Sequence, residues 1–349
     1  MIDRISTKKR NLIIALIVVI ATIQFTAMCS ALLFNLLMQF NVTDKPEIIY
    51  IDRYTTGESL KNNITSKLNE RTAIYISLLL RMTGSEPWKH PGCYRVTPEM
   101  NGYDLFWLIS GRENTTVKLT FNNIRTKDEF AKTVSKYLVL PEDTIMGMMN
   151  DSTLCRKLGF NKETITSMFL PDSYEIYHNC APEAFMRKMK IEYDRFWNEK
   201  RKKLAADAGL SPVDVSILAS IVEEETKRQD EMSRVAGLYI NRLRGGIPLQ
   251  ADPTVKFAIG DFSLHRILKG HLDTESPYNT YKYSGLPPGP IRISSKAAID
   301  AVLNYENNNY IYMCAKEDLS GSHNFTKSYA EHQRNAAKYR NALNALNIK

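Results

Sequence analysis

Three consecutive acids, Glu223, Glu224 and Glu225, close a stretch in which Ile217, Leu218, Ile221 and Val222 recur at helical spacing. At about 100° per residue, Glu225 projects between Leu218, Ile221 and Val222, near the centre of the apolar face. Glu223 points to the opposite side and Glu224 lies at the margin. Burial disfavours a charge, so a carboxyl on the apolar stripe is expected to keep its proton to an unusually high pH. Such a group can protonate a leaving oxygen and then act as a base, which is what breaking a glycosidic bond requires. The competing reading is an acidic run at a solvated helix end. The phase favours that reading for Glu223 and Glu224 and opposes it for Glu225.

The elements that must position this carboxyl carry clear local signals. Ser211 is a good N-cap, Pro212 fits the first helical position and Asp214 lies in the first turn, so a helix is expected to about Lys227. A second helix, about Arg234–Leu243, ends at Gly245 and Gly246. Pro277–Ile293 reads as a long ordered loop, stiffened by Pro287, Pro288 and Pro290. A strand at Tyr310–Ala315 and a closing helix at Ser328–Leu346 follow.

Upstream, Glu47–Asp52 reads as a strand, Ser59–Leu68 and Ala73–Met82 as helices and Gly92–Val96 as a second strand. A helix at Tyr103–Ser110 and a strand at Thr116–Phe121 come next, and the order resembles small wall-binding modules of the LysM type. A helix is expected at Lys127–Val139, and a long amphipathic one opens at Pro182 with Phe185, Met189, Tyr193 and Phe196 on one side. The expected class is α+β: an N-terminal transmembrane helix, a small LysM-like βααβ module, then a mixed α+β catalytic domain. The expected divisions are a tail at 1–11, an anchor at 12–40, the module and following strand at 46–122, a linking region at 123–210 and the catalytic domain at 211–349.

The chain has 349 residues and a formal net charge of +8, which suits an anionic partner without choosing among nucleic acid, lipid headgroups and an acidic wall polymer. Leu12–Phe40 carries no charged side chain and exceeds the ~20 residues that a spanning helix needs. Arg4, Lys8, Lys9 and Arg10 precede that run, whereas Asp44 and Glu47 follow it. By the positive-inside rule, the N-terminus stays in the cytoplasm and the folded part lies on the outer, periplasmic side of the cytoplasmic (inner) membrane. Nucleic acid is therefore not an expected partner. A cleaved signal peptide would have a shorter apolar region, and Cys29 as a lipidation site would be preceded by Met28 and followed by further apolar residues. Neither Cys29 nor Cys93, Cys155, Cys180 or Cys314 sits in a C-x-x-C pair, so no structural zinc is expected, and spacing does not choose among disulfide pairings. His323 and His332 lack helical ligand spacing, so no metal site is expected.

The residues from Ser211 onward resemble the endolytic murein transglycosylases of the MltG (YceG-like) family. The resemblance is carried by Leu218-Ala-Ser-Ile-Val-Glu223-Glu-Glu225-Thr226 and Val235-Ala-Gly-Leu-Tyr-Ile-Asn241-Arg242-Leu243. It continues in Leu249-Gln250-Ala-Asp252-Pro253-Thr254-Val255, Tyr278-Asn279-Thr280-Tyr281, Gly285-Leu286-Pro287-Pro288-Gly289-Pro290-Ile291 and His323-Asn-Phe325-Thr326. A weaker match covers Tyr94–Pro98 and Phe169–Tyr174; before Pro171 the chain reads Thr166-Ser-Met-Phe-Leu where the family pattern suggests a glycine and a second aromatic.

The resemblance implies a peptidoglycan lytic transglycosylase, a carbon–oxygen lyase of cell wall biogenesis that needs no cofactor. It would cut the MurNAc–GlcNAc bond inside nascent strands, leave 1,6-anhydroMurNAc ends and terminate elongation near the peptidoglycan synthases. The second glutamate of Glu-x-Glu-Thr, here Glu225, would be the catalytic acid. Gln250, Asp252, Thr254, Asn279, Tyr281, Asn241, Arg242 and His323 would be substrate-binding. Each has an alternative role where the residues themselves suggest one. Asp252 before Pro253 reads equally as an N-cap, and Asn241 and Arg242 could orient Glu225 or cap structure. Asn279 reads as an exposed amide in an aromatic loop. The competing functions are a muramidase-type hydrolase of the same bond and a non-catalytic wall-binding scaffold of the elongation or division machinery.

Overall fold

The computed structural model describes residues 7–38, 40–111, 116–264 and 266–345; Arg4 of the basic cluster and residues 346–349 of the expected last domain lie outside them. The architecture is mixed α+β, with one N-terminal helix long and apolar enough to cross a membrane. That helix, α1, runs Thr7–Met38, and its segment Lys9–Leu32 has a mean hydropathy of 2.6 and is not buried by the rest of the protein. At 1.5 Å per residue those 24 residues cover about 36 Å, more than the ~30 Å of a hydrocarbon core.

The chain divides into two compact units, Met1–Thr115 with Asn179–Ala181, and Thr116–His178 with Pro182–Lys349. In the first, β1 (Glu47–Ile51) is followed by α2 (Gly57–Lys67), α3 (Glu70–Thr83), β2 (Gly92–Val96) and α4 (Gly102–Ile109). The two strands pair antiparallel, Glu47 opposite Val96 and Ile51 opposite Gly92. Thr56 and Ser59 cap α2 reciprocally, and the Asn69 side chain accepts from the Thr72 N–H to start α3. Ile49, Ile51, Leu60, Ile64, Ile76, Val96 and Leu105 form the buried core under the sheet.

The second unit opens with β3 (Thr116–Phe121). Its place in the chain suggested a continuation of the first module, but it pairs antiparallel with β4 (Asp172–Tyr177) in the second unit. Between them lie α5 (Lys127–Ser135), α6 (Glu142–Asn150) and α7 (Ser152–Lys157). Helix α5 ends earlier than the sequence suggested because the Val139 N–H leaves the helical ladder and donates to the His178 carbonyl. The stripe of α8 (Pro182–Phe196) is buried at Phe185, Met189, Tyr193 and Phe196, as its spacing implied. Helix α9 (Glu199–Ala208) stops at Gly209, whose φ of 78° is the left-handed value that glycine adopts without strain.

Next come α10 (Pro212–Glu225), α11 (Gln229–Arg244), α12 (Asp252–Ile259) and α13 (Lys296–Leu303), then β5 (Tyr312–Ala315), β6 (His323–Thr326) and α14 (Tyr329–Ala345). Helix α10 starts with the expected capping box of Ser211 and Asp214. Every residue from Val215 to Val222 is buried, because α9, α11, α12 and α13 all pack on this helix. An all-round burial of this kind is why two faces, one wet and one dry, describe α10 poorly. Strand β6 is only four residues long and was not legible in the sequence; it pairs antiparallel with β5 and packs against α14.

Helix α11 passes so close to the segment after α13 that a Cβ on Gly237 would sit 2.3 Å from the Glu306 carbonyl oxygen. Gly237→Ala should therefore destabilise by about 2 kcal/mol despite the better helix propensity of alanine. A lower melting temperature in a thermal scan checks this.

Candidate active site

Glu225 is the last residue of α10, and Thr226 leaves the helix in an extended conformation while its N–H still closes on the Val222 carbonyl. The Glu225 side chain lines a cleft of about 350 Å³. Leu238, Tyr239 and Arg242 of α11 form one wall, and Leu249, Gln250, Asp252 and Tyr281 another, with Met313 and His332 completing it. The Tyr239 hydroxyl donates to the Glu225 carboxyl, while Oε2 is buried and has no partner among the described residues. A buried carboxyl oxygen without a partner is costly unless a ligand or a proton satisfies it.

Burial raises the Glu225 carboxyl to about 7, and the nearby charge of Asp252 pushes the same way. The Tyr239 hydrogen bond and the positive charges of Lys256 and Arg242 act in opposition. Near neutral pH this carboxyl is thus divided between acid and base forms, the condition for giving and then taking a proton.

Arg242 is buried and fixes the chain around the cleft. Its Nε donates to the Ile311 carbonyl (2.6 Å), and its Nη1 to the carbonyls of Pro248 (3.0 Å) and Leu249 (2.7 Å) and to Gln250 Oε1 (3.2 Å). Gln250 holds a φ of 52°, a value that costs a non-glycine residue energy, and its N–H donates to the Thr280 carbonyl. Asp252 does not act as the N-cap that its place before Pro253 allowed. The cap is Ala251, and Asp252 Oδ1 instead accepts from the Tyr281 hydroxyl at 2.6 Å. The cleft therefore brings together Glu225, Arg242, Gln250, Asp252 and Tyr281.

Four other expected site residues are not among those lining the cleft. Asn279 is not an exposed amide: it is fully buried, and its Nδ2 donates to the carbonyls of Leu272 and Thr274. Thr254 is equally buried and joins the carbonyl of Ala251 to the hydroxyl of Thr280. Asn241 donates to Asn308 and Tyr310, which leaves it holding the segment before β5. His323 Nδ1 meets Glu231 at 3.0 Å. In a closed turn, polar residues are consumed by backbone groups that have no water, and spacing along a chain does not reveal this.

The solvated reading of Glu223 and Glu224 is also overturned. Both side chains are only 14% exposed. Glu224 takes Arg125 through two nitrogens and Arg292 Nη1 at 2.6 Å, and Glu223 Oε2 accepts from the Ser295 N–H. Burial alone would raise Glu224, but Arg125 and Arg292 outweigh it and hold the carboxyl below its usual range.

Tyr239 and His332 are site residues that the sequence did not disclose. Tyr239 stands in an apolar-patterned helix and reads as core; the available signal was that a buried tyrosine hydroxyl needs a partner. His332 stacks on Tyr312 with ring centres 5.3 Å apart, and its Nδ1 is buried without a partner among the described residues. Burial, aided by Arg242, lowers its pKa.

Because the Tyr239 hydroxyl favours the charged carboxylate, its removal in Tyr239→Phe should raise the Glu225 pKa further. The alkaline limb of kcat/KM against pH should then move to higher pH, with the fold retained. An unmoved limb would show that the hydroxyl does not tune Glu225.

Fold and site together define an α+β protein with a desolvated, half-titrated glutamate at the end of a buried helix. The YceG-like family pattern matches residues 49–338, and the chain belongs to that family. Among curated relatives, the endolytic murein transglycosylase of Bacillus subtilis (strain 168) is 39% identical over 127 residues, 36% of this chain and 34% of the relative. The protein of the same name from Streptococcus pneumoniae serotype 2 (strain D39 / NCTC 7466) is 25% identical over 240 residues, 66% of this chain and 40% of the relative. The matches thus span between about a third and two-fifths of these relatives' lengths. The crystal structure of a yceG-like protein from Listeria monocytogenes shares the fold, with a TM-score of 0.54 and 23% identity over 83% of this chain and 99% of that one.

Proposed function

We propose that this protein is a membrane-anchored lytic transglycosylase that cleaves the MurNAc–GlcNAc bond inside peptidoglycan strands. The observation that carries the reading is Glu225, a carboxyl pushed up to about 7 with a buried, unpartnered Oε2 in a polar cleft. The names of the relatives support the substrate and reaction. Protonated Glu225 gives its proton to the glycosidic oxygen as the bond to the anomeric carbon breaks. The carboxylate then takes the proton of the sugar's own 6-hydroxyl as that oxygen bonds to the anomeric carbon, closing the 1,6-anhydro ring. No water is consumed, so one carboxyl suffices where ordinary glycosidases need two. Asp252, fixed by Tyr281, supplies negative charge beside a centre that becomes positive as the bond breaks.

Asp252 also favours a second reading. A carboxylate sharing the cleft with the acid could activate water, which would make the protein a muramidase. Digestion of isolated wall glycan by the whole chain, followed by mass analysis of the new ends, separates the two. Anhydro ends are expected; hydrated reducing ends in their place would establish hydrolysis, and no new ends would leave a binding scaffold. In this proposal α1 anchors the chain with its N-terminus in the cytoplasm, the βααβ unit is a LysM-like glycan binder, and peptidoglycan synthases are the protein partners whose strands it terminates.

A further inference from the structure

The exposed face of α3 carries Ile74, Leu78 and Met82 at i, i+4 and i+8, with relative exposures of 53%, 50% and 74%. Arg71 and Arg81 flank this row and are also exposed. A groove of about 440 Å³ runs along it, lined by Glu70, Arg71, Ile74, Tyr75 and Leu78. Three apolar side chains in one row, bordered by arginines, form the pattern of a helix lying in a membrane–water interface.

The start of this face adjoins the chain's exit from the apolar run. Phe40, the last residue of the charge-free segment, meets the Tyr75 ring edge-on at 5.7 Å, and the Arg71 guanidinium lies 4.4 Å above the Phe40 ring. From Tyr75 to Met82 the helix advances only about 10 Å. Tyr103 and Trp107 pack edge-on in α4, the helix that α1 touches, and such rings prefer headgroup depth.

We propose that this face of α3 lies in the headgroup layer of the bilayer that α1 crosses. Ile74, Leu78 and Met82 enter the upper acyl region, and Arg71 and Arg81 meet anionic lipid phosphates. The inference rests on the reading of α1 as a membrane anchor. Its consequence is that the βααβ unit lies against the membrane surface instead of swinging on a free tether.

The test uses the full chain in vesicles of phosphatidylethanolamine and phosphatidylglycerol, with a fluorescent amino acid installed at one position at a time. The lipids are brominated on their upper acyl carbons to read Leu78 or near the chain ends to read Ile20. A probe at Leu78 is expected to shift to the blue and lose roughly half its emission, as insertion by ~5–10 Å implies. A probe at Lys61, exposed on α2, should keep its emission. Quenching at Ile20 without quenching at Leu78 overturns the proposal and leaves the anchor standing. No quenching at Ile20 removes the anchor and the proposal together. A probe at Leu78 that is shielded only after a partner protein is added also overturns it, because the face then belongs to that partner.

Discussion

Glu225→Gln should lower turnover of wall glycan about 10³-fold, the usual scale for losing a general acid and base. Glutamine keeps the shape and can still accept from Tyr239, so the cleft should persist while the anhydro product disappears. The pH dependence of the parent gives an independent check. The acid form is needed to protonate the leaving oxygen, so kcat/KM should fall as pH rises above about 7.

The same group has a stability signature. Its folded pKa of about 7 exceeds the ordinary 4.5, so between these values the folded state holds a proton that the unfolded chain has released. Stability contributed by this group is whole below pH 4.5 and is lost as pH rises to about 7, a change on the order of 3 kcal/mol. Glutamine removes that loss. The variant should match the parent in thermal stability near pH 5 and exceed it at pH 8. Equal turnover in parent and variant would remove Glu225 from the mechanism.

Arg292→Met should produce the largest loss of stability, about 3–5 kcal/mol, by leaving buried carboxylates short of a partner. The Arg292 side chain is 4% exposed, meets Glu224 at 2.6 Å and Glu223 at 3.5 Å, and donates to Asn123 Oδ1 at 2.8 Å. These contacts clamp the end of α10 just before Glu225. Adding Glu224→Gln to Arg292→Met should recover part of the loss, because a neutral amide needs no counter-charge. Urea unfolding of the parent, the two single variants and the double variant measures the coupling, and strict additivity would mean that the pair does not act as a unit.

Helix phase singled out Glu225 from the residue types within two turns of it, although α10 proved to be buried all round and Glu223 and Glu224 to be enclosed as well. The capping box of Ser211 and Asp214, the β1–α2–α3–β2 order and the buried stripe of α8 were legible for a similar reason, since each is set by neighbours within a turn or two. The partners of Glu223 and Glu224 were not legible. Arg125 and Arg292 lie far from them in the chain, and only the packing of α10 against other elements makes an acidic run an internal network.

The sequence by itself determined the family motifs, the anchor-like run and the identity of the candidate acid, because local periodicity and residue chemistry decide those. Tertiary structure decided which polar residues face the cleft. Asn279 and Thr254 were absorbed by backbone groups, Asp252 was turned from a cap to a partner of Tyr281, and Tyr239 and His332 were delivered from α11 and α14. A buried polar group must find a partner wherever the fold supplies one, and the nearest partner in space is seldom the nearest in sequence.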